Sequence, residues 1–220
     1  MFDLTGGLGQ DTYYLSEKFD SCTYVEESAW LCQLAKHNFE VLGRAIETIN
    51  DKAERVLETL DSCDLIYVDP ARRDEQAKKV FKLSDCSPDV ARIQHQLLSK
   101  ARQVLIKLSP LIDIKSVLKE LTCVKKVYVI AVKNEVKELL ILMEKGFKGD
   151  EQISCINMDQ HGEDEFLFDF QQERSVHLPF SDVKRYLYEP NAAIMKAGAF
   201  KSVGERFQLF KLDANTHLYT

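Results

Sequence analysis

Apolar runs of strand length alternate along the chain with longer stretches in which apolar residues recur at helical spacing. Residues 2–5 read as the end of a strand and 11–19 as a helix. Residues 22–26 form a second strand, and 29–41 a helix with Trp30, Leu31, Leu34 and Ala35 on one face. A third strand at 45–49 leads to a charged helix at 51–60. A fourth at 64–68 is followed, after a polar connection, by a helix at 88–102. Strand 104–108, helix 112–121, strand 127–132 and helix 135–145 continue the series. Such alternation predicts crossover units, hence a doubly wound α/β sheet, mostly parallel, with helices on both faces.

After Gly149 the pattern changes. Residues 153–158 and 166–170 are strand-like and flank an acidic turn, Gln160-His161-Gly162-Glu163-Asp164-Glu165, which predicts an antiparallel edge strand. Residues 150–170 hold seven acids and no Lys or Arg, as a solvated sheet edge would. A boundary near 171–179 then divides a main domain over 1–172 from a small α+β module over 178–220. The stretch 184–211 carries six Lys/Arg against two Glu, with aromatics at Tyr186, Tyr188, Phe200, Phe207 and Phe210. Within it, 186–200 reads as a short strand and then a helix with Pro190 near its start.

Composition narrows the function classes. A chain of 220 residues that is 45% hydrophobic can bury a core. A net charge of −6 excludes a strongly basic nucleic-acid binder, although a local basic patch is compatible with it. The six cysteines are scattered and make no CxxC, which argues against zinc or thioredoxin chemistry and for small buried hydrophobes in a reduced, cytoplasmic protein. No signal peptide and no membrane-spanning apolar stretch is present, and the five histidines have no metal-ligand spacing. Asp3 opens the first motif with almost no strand before it, so the amino terminus is expected to be truncated.

Candidate chemistry collects at strand ends. Asp3-Leu4-Thr5-Gly6-Gly7-Leu8-Gly9-Gln10-Asp11 follows a strand and opens a helix, so that its glycines let the backbone turn sharply near a ligand. The spacing fails the dinucleotide pattern, whose third glycine falls at Thr12. Glu26 lies 20 residues after Gly6, at the end of the second strand, where a carboxylate accepts from both hydroxyls of a ribose. Asp3 suits a ligand with a cationic amino group. The fourth strand ends in Asp69-Pro70-Ala71-Arg72-Arg73. Lys107 sits inside an apolar run, where an unpaired charge is costly, so it is either paired, for example with Asp69, or directed into the cleft. Asn134 either joins the same edge or caps a helix.

These motifs resemble those of class I S-adenosylmethionine-dependent methyltransferases of Rossmann-like fold. Asp3-x-Thr5-x-Gly7-x-Gly9-x-Asp11 is similar to the family's first motif, and Glu26 stands at its ribose-binding acid. The resemblance implies a methyl donor folded over the glycine turn, with its adenine flanked by Asn50 and Asp51; Asp51 alternatively caps the helix that follows it. Asp69-Pro70 resembles the Asp-Pro-Pro-Tyr-type motif of amino-group methyltransferases and implies that Asp69 and Pro70 orient an acceptor nitrogen. Ala71 and Arg72 depart from it, and Arg72 and Arg73 either stack on a base, contact phosphate or are solvated. The Asp-Leu-Thr-Gly-Gly, Asp-Pro-Ala-Arg and Lys-Leu-Ser-Pro segments, with the tail, resemble bacterial methyltransferases carrying a THUMP-like carboxyl-terminal domain, here ending early. That implies an RNA substrate, rRNA or tRNA, with Arg73, Lys107 and Asn134 toward it. A small-molecule or protein methyltransferase, or a catalytically silent donor- or RNA-binding protein, are the competing readings.

Overall fold

The computed structural model describes residues 1–72 and 83–220. Along them run β1 (Phe2–Asp3), α1 (Gln10–Leu15), β2 (Thr23–Val25), α2 (Ala29–Val41), β3 (Glu47–Ile49), α3 (Ala53–Thr59), β4 (Cys63–Val68), β5 (Ala71–Arg72) and β6 (Cys86–Ser87). Then come α4 (Val90–Lys100), β7 (Ala101–Leu108), α5 (Ile114–Glu120), β8 (Val124–Val132), β9 (Glu135–Glu144), β10 (Gln152–Asp159), β11 (Gly162–Phe168), α6 (Phe170–Ser175), α7 (Ala192–Ala197) and α8 (Phe200–Phe207). Contacts gather the chain into two units: Met1–Val124 with Ile141–Lys148, and Lys125–Leu140 with Gly149–Thr220.

In the first unit the strands lie in the order β7-β4-β1-β2-β3, all parallel, and the last residues of β9 continue this sheet beside β7. Each crossover carries a helix, as parallel pairing requires. Leu65 to Val68 of β4 are buried without alternation, because both faces of a central parallel strand are covered. Leu57 of α3, Val90 and Leu97 of α4, and Val104 and Ile106 of β7 are fully enclosed. Each such side chain contributes about 1.5–3 kcal/mol. Helices start where the sequence offers a side-chain acceptor. Ser28 takes the amide of Leu31 at 3.4 Å, Asp89 that of Arg92 at 3.2 Å, and Asp113 that of Ser116 at 2.7 Å. Asp51 is different: α3 begins two residues later, and the Asp51 carboxylate accepts from the adjacent Lys52 amide at 2.8 Å instead of capping.

In the second unit the order is β11-β10-β8, with the first part of β9 beside β8. β10 runs parallel to β8 and antiparallel to β11. Two expectations change here. Residues 135–144 form a strand, not a helix. Leu, Met, Glu and Lys favour helix locally, and the unbroken apolar run 139–143 conceals a period of two. Leu139 is fully buried while Leu140 is not. What turns the chain is Lys133-Asn134, both at positive φ (52° and 61°), the geometry of a tight two-residue hairpin. The acidic segment is likewise mostly strand: the reversal occupies 160–161, and Glu163, Asp164 and Glu165 lie within β11. At a sheet edge their side chains stay in water, so charge is no obstacle to pairing.

Asn134 is held by structure on both sides. Its backbone amide donates to the Asn157 side chain at 3.0 Å, and its side-chain Oδ1 accepts the Ala192 amide of α7 at 2.7 Å. Asn191 caps α7 through the Ile194 amide at 3.0 Å. Tyr219, 1% exposed, donates its hydroxyl to the Phe200 carbonyl at 2.5 Å and exchanges backbone bonds with Tyr188.

A left-handed conformation costs a non-glycine residue about 1–2 kcal/mol. Lys133→Gly is therefore expected to raise stability by about 1 kcal/mol, read as a higher urea midpoint at unchanged slope. A lower midpoint would show that the turn is held by the Lys133 side chain.

Candidate functional site

Strand order places the site. From β1 the chain moves outward through β2 to β3, then returns to pair β4 with the other side of β1. At such a reversal the loops leaving neighbouring strands diverge, and a crevice opens at their carboxyl ends. Leu4 still follows β4, donating to the Tyr67 carbonyl at 3.0 Å, while Gly6 has crossed to β2, donating to the Val25 carbonyl at 2.8 Å.

The three glycines of this turn do different work. A Cβ on Gly6 would lie 2.1 Å from the Tyr24 ring, and one on Gly9 would lie 2.6 Å from Phe39. Both positions are therefore emptied to admit the protein's own aromatic rings, which meet edge to face at 5.6 Å. A Cβ on Gly7 would meet only the Thr5 carbonyl oxygen, at an ordinary 3.9 Å, and glycine serves there through its φ of +53°. The Gly7 amide donates to the Glu26 carboxylate at 2.9 Å, and its carbonyl accepts the Tyr24 hydroxyl at 2.5 Å. The other Glu26 oxygen accepts the Ser28 amide at 2.8 Å. Each carboxylate oxygen has lone pairs beyond these bonds, so Glu26 is both fixed in direction and able to accept from further hydroxyls. The Asn50 side chain donates to the carbonyls of Glu26 at 2.8 Å and Glu27 at 3.1 Å, tying the end of β3 to that of β2. Asp51, beside it, pairs with Arg55 at 3.6 Å.

The end of β4 is fastened to the glycine turn. The Asp69 amide donates to the Thr5 hydroxyl at 2.6 Å, and Pro70 behind it is buried. The Asp69 carboxylate reaches Lys107 of β7 at 3.0 Å, and Lys107 also contacts Asp11 at 2.5 Å. Of the two readings of Lys107, pairing with Asp69 is the one found, with Asp11 as a second partner. Burial works against the ammonium, but its bonds to Asp11 and Asp69 prevail and hold it charged above the ordinary lysine range. Tyr67 donates to the same Asp11 oxygen at 2.8 Å. Gly7, Glu26, Thr5, Asp69, Asp11 and Lys107 thus meet at one edge of the first unit.

Asp3 faces inward. It is 1% exposed, accepts the Thr5 amide at 3.0 Å and the Thr12 hydroxyl at 2.5 Å, and so holds the turn itself in place of presenting a carboxylate to a ligand. Burial pushes its carboxyl up to about 6; the hydrogen bonds from Thr12 and Thr5 oppose this, and the charges of Asp11 and Asp69 add to it. Arg72 has its backbone in β5, but its side chain, like all of Arg73, lies outside the described residues. Tyr24, Tyr67 and Thr12 were missing from the sequence reading. A signal is there for the tyrosines: Tyr67 interrupts an aliphatic strand, Tyr24 stands in the middle of a short one, and a buried phenol needs a hydrogen-bond partner. Among the described residues no cluster of His, Cys, Asp and Glu could hold a metal, and no helix is long and apolar enough to cross a membrane.

The Asp3 shift has a sign. With an ordinary value of 3.8 and a folded value of about 6, Asp3 favours the folded state below the former, and that contribution is lost as pH rises through the latter. That difference corresponds to about 3 kcal/mol. Relative to Asp3→Asn, the wild-type chain should lose about that much stability between about pH 4 and pH 7, read from urea midpoints. Parallel pH profiles would show that Asp3 ionises as it does in the unfolded chain.

Known proteins place this geometry in context. A ferredoxin-like domain model matches residues 186–220. No curated protein matches the chain. Among solved structures, a candidate methyltransferase from Porphyromonas gingivalis W83 is 37% identical with a TM-score of 0.92, over 100% of this chain and 56% of that one. Two looser likenesses are an rRNA methylase from Streptococcus thermophilus (14% identity, TM-score 0.49, 67% of this chain and 87% of that one) and M. capricolum TrmK, solved with S-adenosylhomocysteine (14%, 0.48, 68% and 63%). The chain spans little more than half the length of the Porphyromonas protein, and its parallel sheet with flanking helices has the Rossmann-like α/β architecture of methyltransferases.

Proposed function

We propose that the first unit binds S-adenosylmethionine and that the protein transfers its methyl group to a base nitrogen of RNA. The observation that carries the first half is the fixed neighbourhood of Gly7, Glu26 and Asp69 at the reversal point of a parallel sheet. The 37% identity to a candidate methyltransferase along the whole chain supports it. Glu26 is assigned the ribose hydroxyls, Gly7 the close backbone approach, and Asn50 and Asp51 the adenine side. Asp3, Thr5, Gly6, Gly9 and Asp11 shape the turn.

The residues fit such a donor on chemical grounds. The turn is uncrowded at Gly7, where only the Thr5 carbonyl lies within 4 Å of a Cβ, and Glu26 offers acceptors already aimed by two amides. A sulfonium donor supplies an activated methyl group when bound, so the protein has chiefly to align the acceptor. That task is assigned to Asp69 and Pro70. Lys107, 3.0 Å away, holds the Asp69 carboxylate in direction, with lone pairs left to accept from the N–H of an amino group. An RNA acceptor rests on the resemblance of Asp69-Pro70 to base-modifying enzymes and on the aromatic, Lys- and Arg-containing tail.

Calorimetry with S-adenosylmethionine tests the first half. Glu26→Ala should weaken binding about 10–100-fold, the worth of hydrogen bonds to a charged group; unchanged affinity rejects the ribose assignment. Asp69→Asn should retain donor affinity and lose transfer of labelled methyl to total cellular RNA. Donor binding without transfer to any RNA pool would leave a silent binding protein.

A further inference from the structure

The second unit contains a cleft of about 740 Å³, in the size range of ligand and peptide pockets. Its walls are Asp164, Glu165, Phe166 and Leu167 of β11 on one side and Tyr188, Glu189, Pro190 and Asn191 on the other, over an apolar floor that includes Ile194, Val203 and Phe207. Four successive residues of one strand line it. Successive side chains of a strand point to opposite faces, so a cleft that touches all four runs along the strand's edge, not over one face. Among the described residues β11 is the last strand of its sheet, and its register pairs it with β10 alone. The outer row of backbone N–H and C=O groups of β11 has no partner strand among the described residues. Phe207 at 59%, Leu167 at 46% and Tyr188 at 45% exposure give it large apolar surface.

We propose that this cleft takes an extended polypeptide segment of a partner protein, with alternating basic and apolar residues, by strand addition to β11. Charge selects the occupant. Asp164 and Glu189 line it with one guanidinium, Arg206, and a third carboxylate, Glu165, is paired across the sheet with Lys126. Glu163 extends the acidic edge, and Glu165 is aimed by the Ser154 hydroxyl at 2.5 Å and by Lys126 at 3.5 Å. A second copy of the chain would bring its own acids against these, and a nucleic acid its phosphates; both are repelled. A basic segment is attracted. Main-chain pairing supplies affinity, and every second side chain can enter the apolar floor beside Phe207, whose ring stacks on Phe166 at 6.3 Å.

The test uses the full chain and three blocked heptapeptides. One alternates Lys and Val, one alternates Glu and Val, and one is the Lys/Val peptide with N-methylated backbone amides. The Lys/Val peptide should bind and slow hydrogen exchange of the amides of β11. The Glu/Val peptide, the N-methylated peptide and the Asp164→Lys/Glu189→Lys variant should each bind at least about tenfold more weakly. If that variant does not fold, Phe207→Ala, which alters an exposed ring, should weaken binding in its place. Equal binding of the acidic peptide, or unaltered β11 exchange at saturation, overturns the proposal. So does protection of β11 by oligo(A) RNA, which would give the cleft to nucleic acid. Concentration-dependent dimers that protect β11 without peptide would give it to a second copy. Donor calorimetry is independent of all these outcomes.

Discussion

The hydrogen bond from the Asp69 amide to the Thr5 hydroxyl is the tie on which the candidate site depends. Beyond Leu4 the chain leaves β4 and follows β2, so nothing in the sheet ladder itself would keep the end of β4 beside the glycine turn. Thr5 closes that gap. Its amide is in turn held by Asp3, which also takes the Thr12 hydroxyl from the first turn of α1. A run of short bonds therefore links β4, the turn and α1, while Tyr24 braces the same turn from beneath by ring packing against Gly6 and a hydroxyl bond to Gly7. Rigid loops of this kind are what a site needs if it is to meet a ligand already shaped for it.

Electrostatics sets the cost of that arrangement. Asp3, Asp11 and Asp69 lie close enough for the last two to hinder ionisation of the first, and burial hinders it more. Lys107 offsets the crowding by contacting Asp11 and Asp69 together. Its two carboxylate partners are each 42% exposed in their side chains, so water screens the pairs and they are better regarded as aiming devices than as large sources of stability. The division is functional in shape. Asp3, dry and internal, holds the turn; Asp69, at the rim and paired, keeps a directed acceptor toward the crevice.

Much of the parallel sheet was legible because its signals are local: apolar strands, helical spacing, and Asp or Ser at helix starts. The positions of Gly7, Glu26, Asp69 and Lys107 at strand ends followed from direction alone. What escaped depends on pairing. The propensities of 135–144 favour helix, and only the partner strands and the Lys133-Asn134 turn decide for a strand. The roles of Gly6 and Gly9 could not be separated from that of Gly7, since the rings that need their space come from β2 and α2. Asp3 looked like a ligand acid because its burial is a property of the assembled edge, not of its neighbours in sequence.

Charge along the tail carries the same lesson further. Six Lys and Arg against two Glu between 184 and 211 suggest a positive surface. In the structure Lys211 is 7% exposed and donates to the Ala214 carbonyl, Lys201 reaches the Arg174 carbonyl, and Lys184 lies 3.5 Å over the Phe210 ring. These cations engage carbonyls and a ring face of their own unit before they can attract a phosphate. Acids behave in the opposite way: Glu163, Asp164 and Glu165 sit on an open edge with their charge in water. A sequence average gives both sets equal weight. The field felt by a partner weights them by exposure, and on that reckoning the stretch 184–211 is less basic than its composition, with the acidic cleft along β11 the most sharply defined charged feature of its unit.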